Sequence, residues 1–130
     1  MTLHRIASRQ VVPISLAEAW TFFSALGNLA VMTPPSLGMR VTSDPPDEMY
    51  PGLIVTYTMS PLPIPLFKTE WVTEITHVEP RRYFVDEQRS GPYQLWHHEH
   101  HFKEVPDGTE VRDVVHYQLP FGPLGDAVNK

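Results

Sequence analysis

The segment Gln94–Lys103 carries side chains suited to acid–base or metal chemistry at alternate positions. Side chains on a β-strand alternate between the two faces of a sheet. Four residues would therefore share one face: Trp96, His98, His100 and Phe102. Two imidazoles between two large aromatic rings are unusual for plain core packing, because a buried imidazole needs a hydrogen-bond partner. The pattern predicts the wall of a cavity rather than a solid core.

The opposite face of the same strand has a different character. It carries the charged residues Glu99 and Lys103 among its members. We therefore expect His97 and His101, which share that face, to be exposed to solvent.

The segment after the Asp107-Gly108 turn signal supplies partners for the two inward histidines. A two-residue loop would place Phe102 opposite Asp113, whereas a four-residue loop would place His100 opposite Asp113. Both registers put Asp113 and Tyr117 on the same face as His100, and only a bulge would break this arrangement.

This constellation supports four kinds of chemistry, which the residues alone leave open. His98, His100 and Asp113 could ligate zinc, since His-x-His on a strand aims two imidazoles the same way. The same side chains could contact a polar ligand, or they could simply satisfy one another as a structural network. In an acid–base enzyme, Asp113 would orient a histidine base while Tyr117 acted as acid or oxyanion donor.

Earlier strands offer further candidates for the cavity lining. Asp86 and Gln88 would join the histidine face only if the connection to the next strand had the right length, and Phe84 on their face favours the inward orientation. Tyr57 and Trp71 are additional candidate ligand contacts, with the alternative that they are plain core aromatics.

Composition excludes several classes of function. The chain has 130 residues, consistent with one domain spanning 1–130, and a formal net charge of −5 without a basic cluster, so a nucleic-acid partner is not expected. It has no cysteine, which excludes disulfides, thiolate catalysis and cysteine zinc sites. No apolar segment approaches a membrane span, no signal peptide is evident, and no cofactor is predicted, so a cytoplasmic protein is the default expectation.

The hydrophobic periodicity predicts an α+β order. A strand over 3–12 is followed by a helix that starts at the Ser15–Glu18 capping box and ends near Leu26, and then by a short helix over 28–32. Six strands follow, with predicted ranges 38–43, 52–59, 66–78, 82–89, 94–105 and 109–119. The proline-rich segments 32–35 and 60–66 would form a cavity mouth or pack against each other.

Several motifs together resemble one protein superfamily. They are Asn28-Leu29, Thr33-Pro34-Pro35, Trp71-x-x-x-Ile75, Phe84-x-Asp86-Glu87-Gln88, Gly91-Pro92-Tyr93, Trp96-x-His98-x-His100-x-Phe102, Thr109, Asp113, Tyr117 and Leu119–Gly125. The order and the motifs resemble the SRPBCC superfamily of START, Bet v 1-like and polyketide cyclase-like domains, in a subfamily whose ligand is not established. The resemblance implies a helix-grip fold, β-α-α-β6-α, in which a curved seven-stranded antiparallel sheet and a C-terminal helix enclose a cavity.

The resemblance and the residues lead to three hypotheses about function. The first is a protein that binds a small, largely apolar ligand, anchored through a hydroxyl, carbonyl or carboxylate by the His/Asp/Tyr group. The second is an acid–base cyclase or dehydratase that uses His98, His100, Asp113 and Tyr117. The third is an interaction module whose open sheet face docks a partner or a second copy of the chain. The third follows from the expectation that the C-terminal helix is cut short after Lys130.

Overall fold

The fold was analysed in a computed structural model, which describes residues 2–60 and 68–120. The strands are β1 (His4–Val12), β2 (Arg40–Val41), β3 (Leu53–Met59), β4 (Thr69–Glu79), β5 (Tyr83–Ser90), β6 (Leu95–Val105) and β7 (Gly108–Gln118). The helices are α1 (Leu16–Ser24) and α2 (Leu29–Met32), with 3₁₀ turns at Leu26–Asn28 and Pro35–Leu37.

All seven strands form one antiparallel sheet in the order β1-β7-β6-β5-β4-β3-β2. Successive strands from β2 to β7 are neighbours, as short connections favour, and β1 adds to the free edge of β7. Register shifts in β4, between Val72 and Thr73 and between Ile75 and His77, indicate local bulges, which bend a strand. The predicted α+β architecture with a curved seven-stranded sheet is confirmed.

Helix α1 starts where the sequence predicted and lies on the inner face of the sheet. Glu18 N donates to Ser15 Oγ at 3.1 Å, and Ser15 N donates to Glu18 Oε1 at 3.4 Å, which completes the capping box. On the inner side of α1, Trp20 packs edge-on against Phe84 and Phe102, with ring centroids 5.9 and 5.2 Å apart. This packing joins the helix to β5 and β6 and makes one end of the sheet a solid core.

Two predicted boundaries need correction, and some predictions fall outside the described residues. Helix α1 ends at Ser24, not near Leu26, because Ala25 has an extended backbone and a 3₁₀ turn follows. The strand predicted over 38–43 shrinks to Arg40–Val41, since Gly38 has a left-handed conformation just before it. The predictions for segment 60–66 and for a C-terminal helix fall largely or wholly outside the described residues, and so does the start of the strand predicted from residue 66.

The β6–β7 hairpin sets the register of the candidate site. His100 pairs with Asp113, and Trp96 pairs with Tyr117, which is the second of the two predicted registers. The loop is shorter than predicted for this register: only two residues, Pro106 and Asp107, separate the strands, whereas a loop of four residues was expected.

Gly108, the first residue of β7, has a φ of +138°, which favours glycine. A Cβ at this position would clash with the Val12 carbonyl oxygen. Glycine therefore allows the hairpin to approach β1 closely.

Candidate functional site

A cavity of about 840 Å³ lies between the inner face of the sheet and the segment that contains α1 and α2. Most of its lining is apolar, which suits a small organic molecule. The sheet contributes Ser8, Gln10, Val55, Tyr57, Met59, Thr69, Trp71, Thr73, Ile75, Phe84, Asp86, Trp96, His98, His100, Phe102, Val111, Asp113 and Val115. Helices and connections contribute Phe23, Leu26, Leu29, Met32, Thr33, Leu37, Met39, Pro92, Tyr93, Leu119 and Pro120.

Two histidines and two aspartates on three adjacent strands form a polar cluster on the cavity floor, here called the His/Asp cluster: Asp86, His98, His100 and Asp113. Asp86 pairs with His98 across β5 and β6, and this register turns its side chain to the histidine face. His100 Nε2 lies 2.6 Å from Asp86 Oδ2, and His100 Nδ1 lies 3.2 Å from Asp113 Oδ1. His98 Nε2 lies 3.0 Å from Asp113 Oδ1.

Burial and charge act in opposite directions on these groups. Burial alone would lower the pKa of His100, but hydrogen bonds to Asp113 and Asp86 and their negative charges outweigh it and raise the pKa to about 9. Burial would likewise raise the pKa of Asp113, but hydrogen bonds from His100 and His98 hold that pKa well below its usual range. At neutral pH His100 is therefore an imidazolium between two carboxylates.

Aromatic rings surround this cluster. The rings of His98 and His100 are stacked, with centroids 3.7 Å apart, and Phe84 stacks on the other face of His100 at 4.0 Å. Trp96 meets His98 edge-on at 6.2 Å and Trp71 edge-on at 5.5 Å. Aromatic rings therefore pack directly against the histidines of the His/Asp cluster.

Tyr57 and Trp71 line the cavity from β3 and β4 and stack on each other at 5.7 Å. The hydroxyl of Tyr57 lies 3.2 Å from Thr73 Oγ1. Burial raises the pKa of Tyr57 to about 12, the Thr73 hydrogen bond opposes this, and the charge of Asp86 adds to it. The indole Nε1–H of Trp71 is buried and has no acceptor among the described residues. A buried donor without a partner is costly.

Two predicted site residues do not reach the cavity lining. Gln88 binds its own hairpin: its amide donates to the Tyr93 carbonyl at 2.6 Å and accepts from Tyr93 N at 3.2 Å. Tyr117 is buried and stacks on His4 at 5.1 Å, with Tyr93 edge-on at 5.8 Å. The proposed role of Tyr117 as an acid therefore lacks access in this arrangement.

The outward histidines are not simply solvated. His97 lies on the opposite face, as predicted, but it is half-buried between Glu87 and Glu99, at 3.0 and 3.2 Å. His101 lies 2.9 Å from the other oxygen of Glu99. Hydrogen bonding to His101, partly opposed by burial and reinforced by His97, lowers the pKa of Glu99. His97 is held by Glu87 on the neighbouring strand, and both His97 and His101 are held by Glu99, which lies between them on β6.

Sequence reasoning missed much of the lining. Ser8 and Gln10 on β1 face the cavity opposite Asp113 and Val111, and alternation along β1 could have identified them. Met39 and Tyr93 lie in connections, where no periodicity reveals which way a side chain points.

The same cluster is the best candidate for a metal site among the described residues. One ligand atom each from Asp86, His98 and His100 lie within 4.8 Å of one another. Nitrogens of both imidazoles are already used within the cluster, since His98 Nε2 and His100 Nδ1 lie 3.0 and 3.2 Å from the same oxygen, Asp113 Oδ1. A metal ion would have to compete with these contacts between the side chains, and the metal site remains a prediction.

Comparison with known proteins agrees with this architecture. Residues 12–130 match the family model described as polyketide cyclase/dehydrase and lipid transport. A protein of Thermus thermophilus is similar in structure, with TM-score 0.68 and 14% identity over 97% of this chain and 82% of that one. Major latex-like protein 151 of Panax ginseng is similar with TM-score 0.65 and 10% identity, over 97% of this chain and 88% of that one.

A Mycobacterium smegmatis protein has TM-score 0.66 and 21% identity, over 96% of this chain and 78% of that one. No curated protein matches the sequence significantly. Among the described residues, no helix is long and apolar enough to span a membrane. The sheet, the cavity and the match over residues 12–130 show that this chain belongs to the polyketide cyclase/dehydrase and lipid transport family, within the SRPBCC superfamily.

Proposed function

We propose that the protein binds a small, largely apolar molecule in its cavity and anchors one polar group of that molecule at the His/Asp cluster. The observation that carries this proposal is the combination of about 840 Å³ of mostly apolar cavity with one concentrated polar cluster on its floor. A few convergent polar groups in an apolar pocket fix the orientation of a ligand, while the apolar walls supply most of the affinity.

Trp71 belongs to the apolar wall of the cavity. Only 6% of this residue is exposed, and its indole N–H has no acceptor among the described residues. Because that nitrogen is buried, a ligand would contact the indole ring of Trp71 rather than its N–H. The family description, which includes lipid transport, agrees with an apolar cargo.

Binding is tested with the neutral fluorescent probe N-phenyl-1-naphthylamine, titrated into the wild type and two variants. Met39→Trp adds bulk inside the cavity, whereas Val31→Trp adds the same side chain at a residue that is 74% exposed. We expect saturable binding that Met39→Trp weakens and Val31→Trp leaves unchanged, with both melting temperatures close to wild type. The absence of saturable binding to the folded wild type, or equal binding by all three proteins, would contradict the proposal.

Acid–base catalysis is the second candidate, favoured by the contact between His98 Nε2 and Asp113. Asp113 would hold His98 by its Nε2–H, and His98 Nδ1, which makes no hydrogen bond within the cluster, would be the nitrogen that takes a proton from a substrate. Hydrogen–deuterium exchange at the carbon next to a bound ketone carbonyl tests this: exchange that His98→Gln abolishes supports catalysis, and exchange at the uncatalysed rate leaves binding as the function. The interaction-module hypothesis also remains a prediction, tested by light scattering on the purified chain.

A further inference from the structure

The hydrogen-bond donors of the His/Asp cluster are used within the cluster itself. Both ring nitrogens of His100 lie within 3.2 Å of a carboxylate oxygen. His98 Nε2 is 3.0 Å from Asp113, whereas His98 Nδ1 is 3.8 Å from Asp86, beyond hydrogen-bond distance. A carboxylate oxygen accepts, so His98 donates from Nε2 to Asp113, and its Nδ1 makes no hydrogen bond within the cluster.

The carboxylates also have unused acceptor capacity. Asp86 makes its contacts through Oδ2 and Asp113 through Oδ1. The second oxygen of each group makes no hydrogen bond to any described residue. Ionised carboxylates only accept hydrogen bonds, so both of these free oxygens are acceptors.

The charge of the cluster has the same consequence. Asp86 and Asp113 are two acidic groups beside an apolar cavity, and each keeps one oxygen that makes no hydrogen bond to a described residue. An anionic group brought there would be desolvated and repelled, and the low dielectric would strengthen the repulsion. A cationic or neutral donor would find both acceptors and favourable charge, with the Trp71 and Trp96 rings available to contact a cation.

We infer that the cavity selects ligands whose polar group donates hydrogen bonds, namely alcohols, phenols or protonated amines, and discriminates against ligands that end in a carboxylate. This inference rests on the proposed binding function and narrows the class of ligand. It removes free fatty acids and aromatic acids from the expected cargo and keeps their alcohol and amine counterparts.

A matched ligand series tests the inference: 2-naphthalenemethanol, 2-naphthylmethylammonium and 2-naphthoate, each titrated calorimetrically into the wild type. The three share one aromatic body and differ in the polar group. We expect the alcohol and the ammonium to bind at least about tenfold more tightly than the carboxylate. Equal or tighter binding of 2-naphthoate would overturn the inference.

Variants assign the selectivity to the cluster. Asp113→Asn should reduce the preference for the ammonium over the carboxylate by several-fold, and Asp86→Asn provides the same test if the first variant folds poorly. Asp107→Asn makes the same change of net charge at an exposed turn residue and should leave the preference unchanged. An unaltered preference in both cluster variants would overturn the assignment.

The probe N-phenyl-1-naphthylamine separates the two levels of the account. If the wild type binds the probe but prefers 2-naphthoate, the inference fails while the proposed function stands. If neither the probe nor any naphthyl ligand binds, the proposed function fails and the inference with it.

Discussion

Replacing Asp113 by asparagine removes a negative charge shared by two imidazoles and changes the shape of the site very little. Asp113 Oδ1 lies 3.0 Å from His98 Nε2 and 3.2 Å from His100 Nδ1. The cluster raises the pKa of His100 from 6.5 to about 9, and one pKa unit corresponds to about 1.4 kcal/mol. The whole shift therefore represents about 3 kcal/mol of folding free energy. Asp113 supplies part of it, so we expect Asp113→Asn to lower the free energy of unfolding by about 1–3 kcal/mol.

The pH dependence of this loss follows from the direction of each shift. The pKa of His100 is higher in the folded protein, so its stabilisation is complete below about pH 6.5 and is lost as the pH rises through about 9. The pKa of Asp113 is lower in the folded protein, so its contribution is present above about pH 3.8 and is lost as the pH falls below that value. Both shifts describe the same contact between His100 and Asp113, so the deficit of the variant should be largest between about pH 4 and 6.5 and smaller near pH 9.5, where His100 has lost its proton.

Urea unfolding followed by tryptophan fluorescence at about pH 5.5 and 9.5 measures both quantities. Asp107→Asn is the control, because it makes the same chemical change on an exposed turn and should match the wild type at both pH values. An Asp113→Asn protein as stable as the wild type at pH 5.5, or a deficit of the same size at both pH values, would refute the reasoning.

Three further predictions concern the fold that holds the site. Gly108→Ala should destabilise the protein by more than about 2 kcal/mol in urea unfolding, because a Cβ would clash with the Val12 carbonyl oxygen; a stability close to wild type would contradict the hairpin geometry. Thr109→Val should cost about 1–3 kcal/mol, since the fully buried Thr109 hydroxyl donates to the Ile14 carbonyl at 2.9 Å, and an unchanged unfolding midpoint would contradict it. Ser15→Ala should cost about 0.5–2 kcal/mol through loss of the helix cap, with Ser15→Asp expected to retain most of the stability.

Alternation along β6 was sufficient to predict the histidine face, because period two is a strong constraint on a strand and an antiparallel hairpin aligns the next strand with it. Both predicted registers placed Asp113 on the histidine face, so the uncertain loop length did not affect this prediction. The orientation of Asp86 was less certain, because it depended on the length of the connection between β5 and β6. One residue more or fewer in that connection would have turned its side chain to the other face of the sheet.

The roles of Gln88 and Tyr117 could not be predicted from alternation. Both have neighbours with the expected orientation, but Gln88 turns back to bind the Tyr93 backbone, and Tyr117 packs between His4 and Tyr93. Such local hydrogen bonds and ring contacts depend on how a hairpin and an edge strand close in three dimensions. Met39 could not be predicted either, because side chains in a connection do not follow a regular period that would show which of them face the cavity.

The central claim is that a ligand lies in the cavity against the His/Asp cluster, and the histidine ring resonances test it most directly. In NMR titrations of the wild type with 2-naphthalenemethanol, His98 and His100 report on the inner face of β6, while His97 and His101 report on its outer face. We predict saturable shifts of the His98 and His100 ring signals, with those of His97 and His101 nearly unchanged. Saturable binding that leaves His98 and His100 unmoved, or that moves only His97 and His101, would contradict the account.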